Sequence, residues 1–250
     1  MNAHTNESSE TDDKFAAFVR GLAAALASPS DAAEALTALI GSIGLFRDDR
    51  GIYGEHERLQ LPEGRGGMWQ NPRELAKALL AFPAERLAAE VRAAGRDAAT
   101  FVEVGTFTGA TFFVVRETLR ARLGEFGVGI EARTYDPADF VQGDLRAHVE
   151  ADLRRGTSEQ AAADRPEGGW DIAFIDGCHE APWPALDWER LAAKVTLFHD
   201  VEDRHCPDVR ALFASIRADS GDARETHVVN EVPGFFGIGT VCSFSNLRGI

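Results

Sequence analysis

Hydrophobic and polar positions follow two different patterns along this chain, and the change between them divides it in two. From Lys14 to Ser28 and from Asp31 to Leu45, apolar residues recur three and four positions apart, which is typical of amphipathic helices. Ser30 precedes the second segment as a helix cap. From about Thr100 onward, short apolar runs alternate with helical segments, and this alternation predicts an open parallel sheet covered by helices.

The same patterns predict the remaining elements. We expect helices at 71–82, 85–94, 110–119, 143–152, 186–193 and 208–218, and strands at 100–104, 132–135, 170–176, 195–198, 227–232 and 237–244, with a weakly patterned strand ending near 155–158. Pro233 and Gly234 join the last two strands as a hairpin-like pair. The expected organisation is a disordered tail at 1–13, a helical cap at 14–95 and one α/β domain at 96–250.

The composition limits the kinds of partner that the chain can bind. It has 250 residues, 44% of them hydrophobic, which is enough to bury one full core. Its 26 basic and 40 acidic residues give a formal net charge of −14, and no Lys/Arg cluster is present that would follow a phosphate backbone. We therefore expect a small-molecule partner, and neither a nucleic acid nor an anionic membrane surface.

The cysteines and the N-terminal segment indicate a cytoplasmic location. Cys178, Cys206 and Cys242 are odd in number and lack C-x-x-C spacing, which argues against a disulfide framework or a zinc knuckle. Residues 1–13 are polar and acidic, unlike a signal peptide, and no apolar run reaches the length of a membrane span.

The stretch from Phe101 to Ala110 carries the first candidate site. It reads F-V-E-V-G-T-F-T-G-A, a buried strand that turns sharply into a helix through two glycines. Gly105 allows the turn and a close ligand approach, Gly109 allows helix and strand to pack, and Glu103 can accept a hydrogen bond from an amine or hydroxyl. The spacing is not the G-x-G-x-x-G of a dinucleotide site, because Thr106 stands where the second glycine would admit a pyrophosphate.

This E-x-G-x-x-x-G pattern resembles the first motif of class I methyltransferases that depend on S-adenosylmethionine (SAM). The resemblance implies that Glu103, Gly105, Thr106 and Gly109 surround the methionine and ribose parts of SAM. The structural alternative is an ordinary strand-turn-helix with two helpful glycines.

Two further positions complete the expected donor site. Asp136 ends the second predicted strand, where an acid in a doubly wound sheet commonly binds ribose hydroxyls. Glu131 is its rival, and a plain turn aspartate before Pro137 is the structural alternative. After the third strand, the resemblance implies that Thr157 or Ser158 lines the adenine, although serine and threonine after a glycine also serve as turn or cap residues.

Polar residues end the two best-patterned strands. The run W-D-I-A-F-I-D ends at Asp176, and the run V-T-L-F is followed by His199 and Asp200. Parallel strands end at the same edge of a sheet, so these side chains should converge there and should need a positive partner. Oxygen-rich ligation with one imidazole suits magnesium, manganese or ferrous iron. The alternative is that the aspartates cap helices and the histidine packs beneath the edge.

The runs F-I-D-G-x-H, L-F-H-D-V and F-F-G-I-G-T-V make the resemblance more specific. They are similar to bacterial class I methyltransferases of small-molecule and sugar metabolism, over about Gln70 to the C-terminus. The resemblance implies a Rossmann-like, mostly parallel seven-stranded sheet with an antiparallel last strand. In related metal-dependent O-methyltransferases, residues matching Asp176 and the pair His199-Asp200 bind the metal, and Asp176 also borders the donor. His199 departs from that pattern, because the family has a carboxylate or amide there.

Two histidines are candidates for the catalytic base. Catechol-type members carry a lysine three residues after the first metal aspartate, and His179 occupies that position here. A histidine with a near-neutral pKa can accept a hydroxyl proton. His205 is the rival, with a solvent-facing loop residue as its alternative role, and Cys206 is either a soft ligand or a half-buried thiol.

These features predict a SAM-dependent methyltransferase that acts on a hydroxyl of a small molecule, such as a natural product or sugar, with a divalent metal. The alternatives are a metal-independent N- or O-methyltransferase, a nicotinamide-dependent oxidoreductase and a non-catalytic nucleotide-binding protein. Acceptor specificity is expected in the N-terminal helices and in a surface loop at 47–67. The apolar helix pair at the N-terminus could also form a homodimer interface.

Overall fold

A computed structural model describes residues 13–27, 30–43, 68, 70–141, 144–220 and 224–244. The helices are α1 Lys14–Leu26, α2 Ala32–Gly41, α3 Pro72–Ala81, α4 Ala84–Ala93, α5 Ala110–Gly124, α6 Asp144–Val149, α7 Ser158–Ala163, α8 Trp183–Leu191 and α9 Pro207–Ala218. The strands are β1 Ala98–Val104, β2 Gly129–Asp136, β3 Leu153–Arg155, β4 Ile172–Ile175, β5 Val195–Phe198, β6 Glu225–Val229 and β7 Ile238–Cys242. The predicted tail up to residue 12 and the predicted loop at 47–67 lie outside the described residues.

The strands form one seven-stranded sheet in the order β3-β2-β1-β4-β5-β7-β6. β1 pairs in parallel with β2 and β4, and β4 pairs in parallel with β5. β7 is antiparallel to both of its neighbours, β5 and β6. This order and the antiparallel last strand confirm the predicted Rossmann-like fold of class I methyltransferases.

The elements differ from the predicted ones mainly at their ends. β2 begins at Gly129, three residues before the predicted start at 132. The prediction missed these residues because the first half of the strand is partly exposed and lacks an apolar run. α7 was not predicted at all. It is only six residues long, and Thr157 caps it by accepting a hydrogen bond from the amide of Glu159.

The central strands alternate their side chains between two cores. Phe101 of β1, Phe174 of β4 and Leu197 of β5 face one side of the sheet, where helices α1 to α5 pack. Val102 and Phe198 face the other core, together with side chains of α8 and α9. All of these side chains are fully buried, so the sheet is covered on both faces, as the continuous apolar runs predicted.

The two N-terminal helices bury their apolar faces within the chain. Phe18 of α1 is fully buried and meets the ring of Phe113 on α5 at 5.7 Å, and Leu36 and Ile40 of α2 are also fully buried. Asp13, at the end of the predicted tail, caps α1 by accepting hydrogen bonds from the first-turn amides. Most of the apolar surface behind the homodimer expectation is therefore covered, although Val19 of α1 stays 45% exposed, and the oligomeric state stays a prediction. None of the helices in the described ranges has the length and apolar character needed to span a membrane.

A buried carboxylate joins three strands at the edge opposite the predicted site. Asp171, just before β4, is fully buried and accepts two 2.7 Å hydrogen bonds from the Arg96 guanidinium that precedes β1. Lys194, just before β5, places its Nζ 2.9 Å from the same carboxylate. The starts of the three central strands are thus held in register by one charged group.

Candidate functional site

The turn after β1 packs directly against the end of β4. Gly105 has φ +98°, and a Cβ built there would lie 1.9 Å from the carbonyl oxygen of Asp176. The glycine is therefore required by the neighbouring backbone, in addition to any ligand. Gly109 also has positive φ, +82°, and its Cβ would lie 3.2 Å from Val141, so its small size lets α5 approach the segment that leads into α6.

Glu103 lies beneath this turn in a chain of hydroxyl groups. Its Oε2 accepts a 2.6 Å hydrogen bond from the Thr134 hydroxyl, which lies 2.5 Å from the hydroxyl of Thr106. Its Oε1 is buried and has no hydrogen-bond partner among the described residues. Burial and the nearby Asp176 and Asp136 carboxylates raise the pKa of Glu103 well above its usual value, although the Thr134 bond opposes them.

Asp136, at the end of β2, stabilises the glycine turn that follows β1. Its Oδ2 accepts a 2.9 Å hydrogen bond from the amide of Phe107, and its Oδ1 accepts one of 2.9 Å from Ala138. The carboxylate is only partly exposed, and each oxygen keeps a lone pair for a ribose hydroxyl. The rival Glu131 is exposed in the first half of β2 and pairs with Thr100, away from the carboxyl edge. The ribose role of Asp136 stays a prediction.

The hydroxyl of Ser158 is hydrogen-bonded to other side chains of the protein. It is fully buried at the start of α7, accepts a 3.2 Å hydrogen bond from Arg190, and is hydrogen-bonded to the Asp187 carboxylate. Both partners belong to α8, so the hydroxyl joins the two helices, while Thr157 serves as the cap of α7. A side-chain contact from either residue to adenine would need these bonds to change.

The predicted metal ligands meet at the ends of β4 and β5. Nδ1 of His199 lies 3.1 Å from Oδ1 of Asp176 and 3.0 Å from Oδ2 of Asp200. One potential ligand atom from each of the three residues lies within 4.8 Å of the other two. Asp200 adopts φ +62°, which is uncommon for a residue with a side chain. The carboxylate and imidazole donors present here suit a divalent cation.

Charge within this cluster is strongly coupled. Burial opposes ionisation of Asp176, but the charge of His199 and contacts with His179 bring the pKa of the carboxyl down to about 2. Burial likewise opposes a charge on His199, and the Asp200 and Asp176 carboxylates outweigh it and raise the pKa of this imidazole well above its ordinary value. The two carboxylates therefore favour positive charge between them, which protons or a bound cation can supply.

The two candidate bases occupy different surroundings. Nε2 of His179 lies 3.5 Å from Oδ1 of Asp176 and 3.4 Å from Oδ2 of Asp200, inside the cluster. His205 is exposed, accepts a hydrogen bond from Arg204 and packs on the ring of Phe235. The structure therefore brings His179 to the metal-ligand candidates and leaves His205 on the surface.

Cys206 is buried beside His179. Its Sγ lies 3.4 Å from Nδ1 of His179 and 3.7 Å from Oδ2 of Asp200. Burial and the nearby aspartates raise the pKa of the Cys206 thiol, which favours the protonated form. The thiol thus contacts two members of the cluster.

Two buried side chains of the site were not predicted. Gln70 is fully buried, and its Nε2 donates a 2.8 Å hydrogen bond to Oδ2 of Asp176. Glu74 of α3 is fully buried and accepts hydrogen bonds from the amides of Glu231, Val232 and Gly237, which holds the β6–β7 connection against α3. The only sequence signal was that Gln70 and Glu74 flank a helix start, and this does not indicate burial.

No protein-family profile matches the chain, and no curated protein matches it. Among solved structures, a protein assigned as an O-methyltransferase from Klebsiella pneumoniae is 15% identical over 78% of this chain and 97% of its own, with a TM-score of 0.41. The O-methyltransferase TomG from Streptomyces achromogenes, involved in tomaymycin synthesis and solved with SAM, is 16% identical over 80% of this chain and 92% of its own, with a TM-score of 0.37. The methyltransferase domain of METTL16 is 11% identical over 98% of each chain, with a TM-score of 0.49. The fold of this chain is defined by its own strand order and not by these similarities.

Proposed function

We propose that this protein is a SAM-dependent methyltransferase that methylates a hydroxyl group of a small molecule, with a divalent cation held by Asp176, His199 and Asp200. One observation carries the proposal: the acid-lined glycine turn after β1 packs against Asp176, which also belongs to the His/Asp cluster. A donor bound at the turn and an acceptor bound at the cluster would therefore be neighbours.

The charge around the turn favours SAM over a dinucleotide. Glu103, Asp136 and Asp176 are close enough for their charges to interact, and Oε1 of Glu103 lacks a partner among the described residues. SAM carries a sulfonium and an ammonium group, which complement these acids, whereas the pyrophosphate of NAD would be repelled. Thr106 also replaces the glycine that a dinucleotide site uses for close approach to pyrophosphate.

Three tasks are assigned to the protein side chains. Glu103 and Asp136 hold and orient the donor, so that its methyl group points toward the carboxyl edge of the sheet. Asp176, His199 and Asp200 would hold the cation and the acceptor at that edge. A divalent cation bound there would lower the pKa of an acceptor hydroxyl, and His179, beside Asp176 and Asp200, would accept the proton that the hydroxyl loses.

A small acceptor fits the net charge of −14, because a polyanion such as RNA would be repelled by most of the surface. The predicted role of residues 47–67 in acceptor choice concerns residues outside the described ranges. The absence of a nucleic-acid or membrane partner, the cytoplasmic location and the homodimer remain predictions.

Titration calorimetry tests the donor first. We expect S-adenosylhomocysteine, the demethylated product of SAM, to bind, and NAD not to bind. Micromolar binding of NAD with no response to S-adenosylhomocysteine would replace the methyltransferase proposal with the nicotinamide-dependent alternative.

Metal removal tests the second part with methyl transfer as the readout. Activity on an acceptor should fall after chelation and dialysis, and should return on addition of magnesium, manganese or ferrous iron. Asp200→Asn should reduce activity far more than affinity for S-adenosylhomocysteine, because the proposed cation would contact the acceptor and not the donor. Full activity in excess chelator would favour the metal-independent alternative.

A further inference from the structure

The two carboxylate oxygens of Asp176 have different partners. Oδ1 lies 3.1 Å from Nδ1 of His199 and 3.5 Å from Nε2 of His179, on the side of the proposed cation site. Oδ2 accepts a 2.8 Å hydrogen bond from Nε2 of Gln70. One carboxylate oxygen therefore belongs to the cluster, and the other is held by a side chain from outside it.

The sheet fixes the backbone of Asp176 and leaves its carboxylate to be fixed by other groups. The Asp176 amide donates a 2.9 Å hydrogen bond to the carbonyl of Val104, and the Asp176 carbonyl lies against Gly105. Neither contact restrains the last torsion of the side chain, which has a broad energy profile in aspartates. The hydrogen bond from Gln70 supplies that restraint.

Gln70 is well placed to act as a fixed support. It is fully buried and lies directly before α3. Asn71 caps α3 by accepting hydrogen bonds from the amides of Arg73 and Glu74. Glu74 in turn accepts hydrogen bonds from three amides of the β6–β7 connection. The start of α3 is therefore anchored on both sides, and a donor on an anchored segment can hold its acceptor in one orientation.

The chemistry of Gln70 fits this role better than it fits packing. An ionised carboxylate only accepts hydrogen bonds, so the NH₂ group of Gln70 must face Asp176 and Oε1 must face away. Oε1 is buried and has no hydrogen-bond partner among the described residues. A buried acceptor without a partner costs stability, so an apolar side chain would serve packing alone better than glutamine does.

We propose that Gln70 is a positioning residue for the cation: by holding Oδ2 of Asp176, it presents Oδ1 to the cation beside His199 and Asp200. Gln70 acts in the proposed metal site, so its role rests on that proposed function and deepens it. Asp176 would then bind the cation through one oxygen, and Gln70 itself would not touch the cation. Without this hydrogen bond the carboxylate would be free to rotate, so the cation would bind more weakly and in a different geometry.

Co²⁺ titration of the metal-free full-length protein tests this role without an activity assay. Calorimetry gives the affinity, and visible absorption reports the coordination geometry. Gln70→Met keeps the length of the side chain and removes the donor. We expect Gln70→Met to lower Co²⁺ affinity by ~10–100-fold, the usual effect of removing a group that orients a ligand, and to change the absorption spectrum.

Asn71→Ala is the matched control. Asn71 is the buried neighbour of Gln70 and caps α3, and its side-chain oxygen bonds only to amides of that helix. Asn71→Ala should lower the Tm of the metal-free protein, because it removes the cap, and should leave the affinity for Co²⁺ and the spectrum unchanged. An equal loss of Co²⁺ affinity in both variants would show that the start of α3, and not the Gln70 amide, supports the site.

Thermal unfolding of the metal-free variants checks folding, and Gln70→Leu is a second substitution that removes the donor. If either folded Gln70 variant keeps the Co²⁺ affinity and the spectrum of the unmodified protein, Gln70 does not position the ligand, and the proposed metal site stands without it. If the unmodified protein binds no Co²⁺, the role of Gln70 and the metal part of the proposed function both fail. Binding of S-adenosylhomocysteine in the same samples decides the donor part separately.

Discussion

Replacing Gly105 by alanine should damage both the fold and the donor site. The new Cβ would lie 1.9 Å from the carbonyl oxygen of Asp176, 2.4 Å from its carbonyl carbon and 2.8 Å from the nitrogen of Gly177. Ordinary van der Waals contact begins at 3.4 Å, so the turn after β1 and the end of β4 would have to separate by about 1.5 Å. All three obstructing atoms belong to the backbone, and no side-chain rotation can relieve the overlap.

The structure offers a control that isolates this overlap. Gly95 also has positive φ, +72°, but a Cβ there would meet nothing within 4 Å. Gly95→Ala should therefore cost only the conformational strain of a left-handed residue, about 1–2 kcal/mol. Gly105→Ala adds overpacking of about 1–3 kcal/mol and loss of the 2.9 Å bond from the Asp176 amide to Val104, worth about 1 kcal/mol.

We therefore expect Gly105→Ala to lower the free energy of unfolding by about 2–4 kcal/mol more than Gly95→Ala does. In a chain of this size that difference is a further ~4–16 °C in Tm. Urea denaturation followed by circular dichroism measures the stabilities, and calorimetry with S-adenosylhomocysteine should show loss of binding only in the Gly105 variant. Equal stability of the two variants would show that the turn does not pack against β4 as described.

Three further substitutions, the first with a matched control, test other parts of the structure. Asp171→Asn leaves Arg96 without its buried partner and should lower the free energy of unfolding by about 3–5 kcal/mol in urea denaturation at pH 7. Glu225→Gln, which breaks the exposed ion pair with Arg86, is the control and should change the free energy of unfolding by under about 1 kcal/mol. Burial raises the pKa of Asp171, but hydrogen bonds from Arg96 and other groups lower it overall. The Asp171 carboxylate therefore stabilises the fold fully above about pH 4, and the difference in unfolding free energy between the unmodified protein and Asp171→Asn should shrink as pH falls further. A difference that stays constant with pH would contradict this. Burial raises the pKa of Glu103, so ionisation of this carboxyl destabilises the fold as pH rises above about 4.3. Glu103→Gln should therefore be at least as stable as the unmodified protein at pH 7, yet bind S-adenosylhomocysteine at least ~10-fold more weakly. Unchanged affinity would remove Glu103 from the donor site. Ser158→Ala should cost about 1 kcal/mol and leave that affinity unchanged in calorimetry, and a tenfold loss would return Ser158 to the donor site.

The sheet and the convergence at its edge could be predicted because they follow from local patterns. β4 and β5 are buried on both faces, so each is a continuous apolar run that stops abruptly at polar residues. Parallel neighbours end at the same edge, which brings Asp176 and His199 together without any knowledge of side-chain contacts. The meeting of these residues therefore needed only the strand order.

The polar partners of the site could not be predicted because they depend on contacts between distant segments. Gln70 and Asp176 are 106 residues apart, and Glu74 is 163 residues from Gly237, whose amide it binds. No local periodicity reports such pairs. The sequence also did not show that His205 is exposed whereas its neighbour Cys206, just before α9, is buried.

The position of β7 in the sheet has a consequence for the order in which the site can form. β7 is the last strand along the described chain, yet it lies between β5 and β6. During synthesis, β5 therefore remains an edge strand with unpaired backbone groups until β7 has been made. His199 directly follows this unpaired strand. Strands β1, β2 and β4 can pair before β7 is made. The part of the sheet that carries the glycine turn can therefore assemble while β5, which precedes His199, still has an unpaired edge. Chains interrupted before residue 238 should therefore aggregate through β5, because an unpaired strand edge readily pairs with other chains.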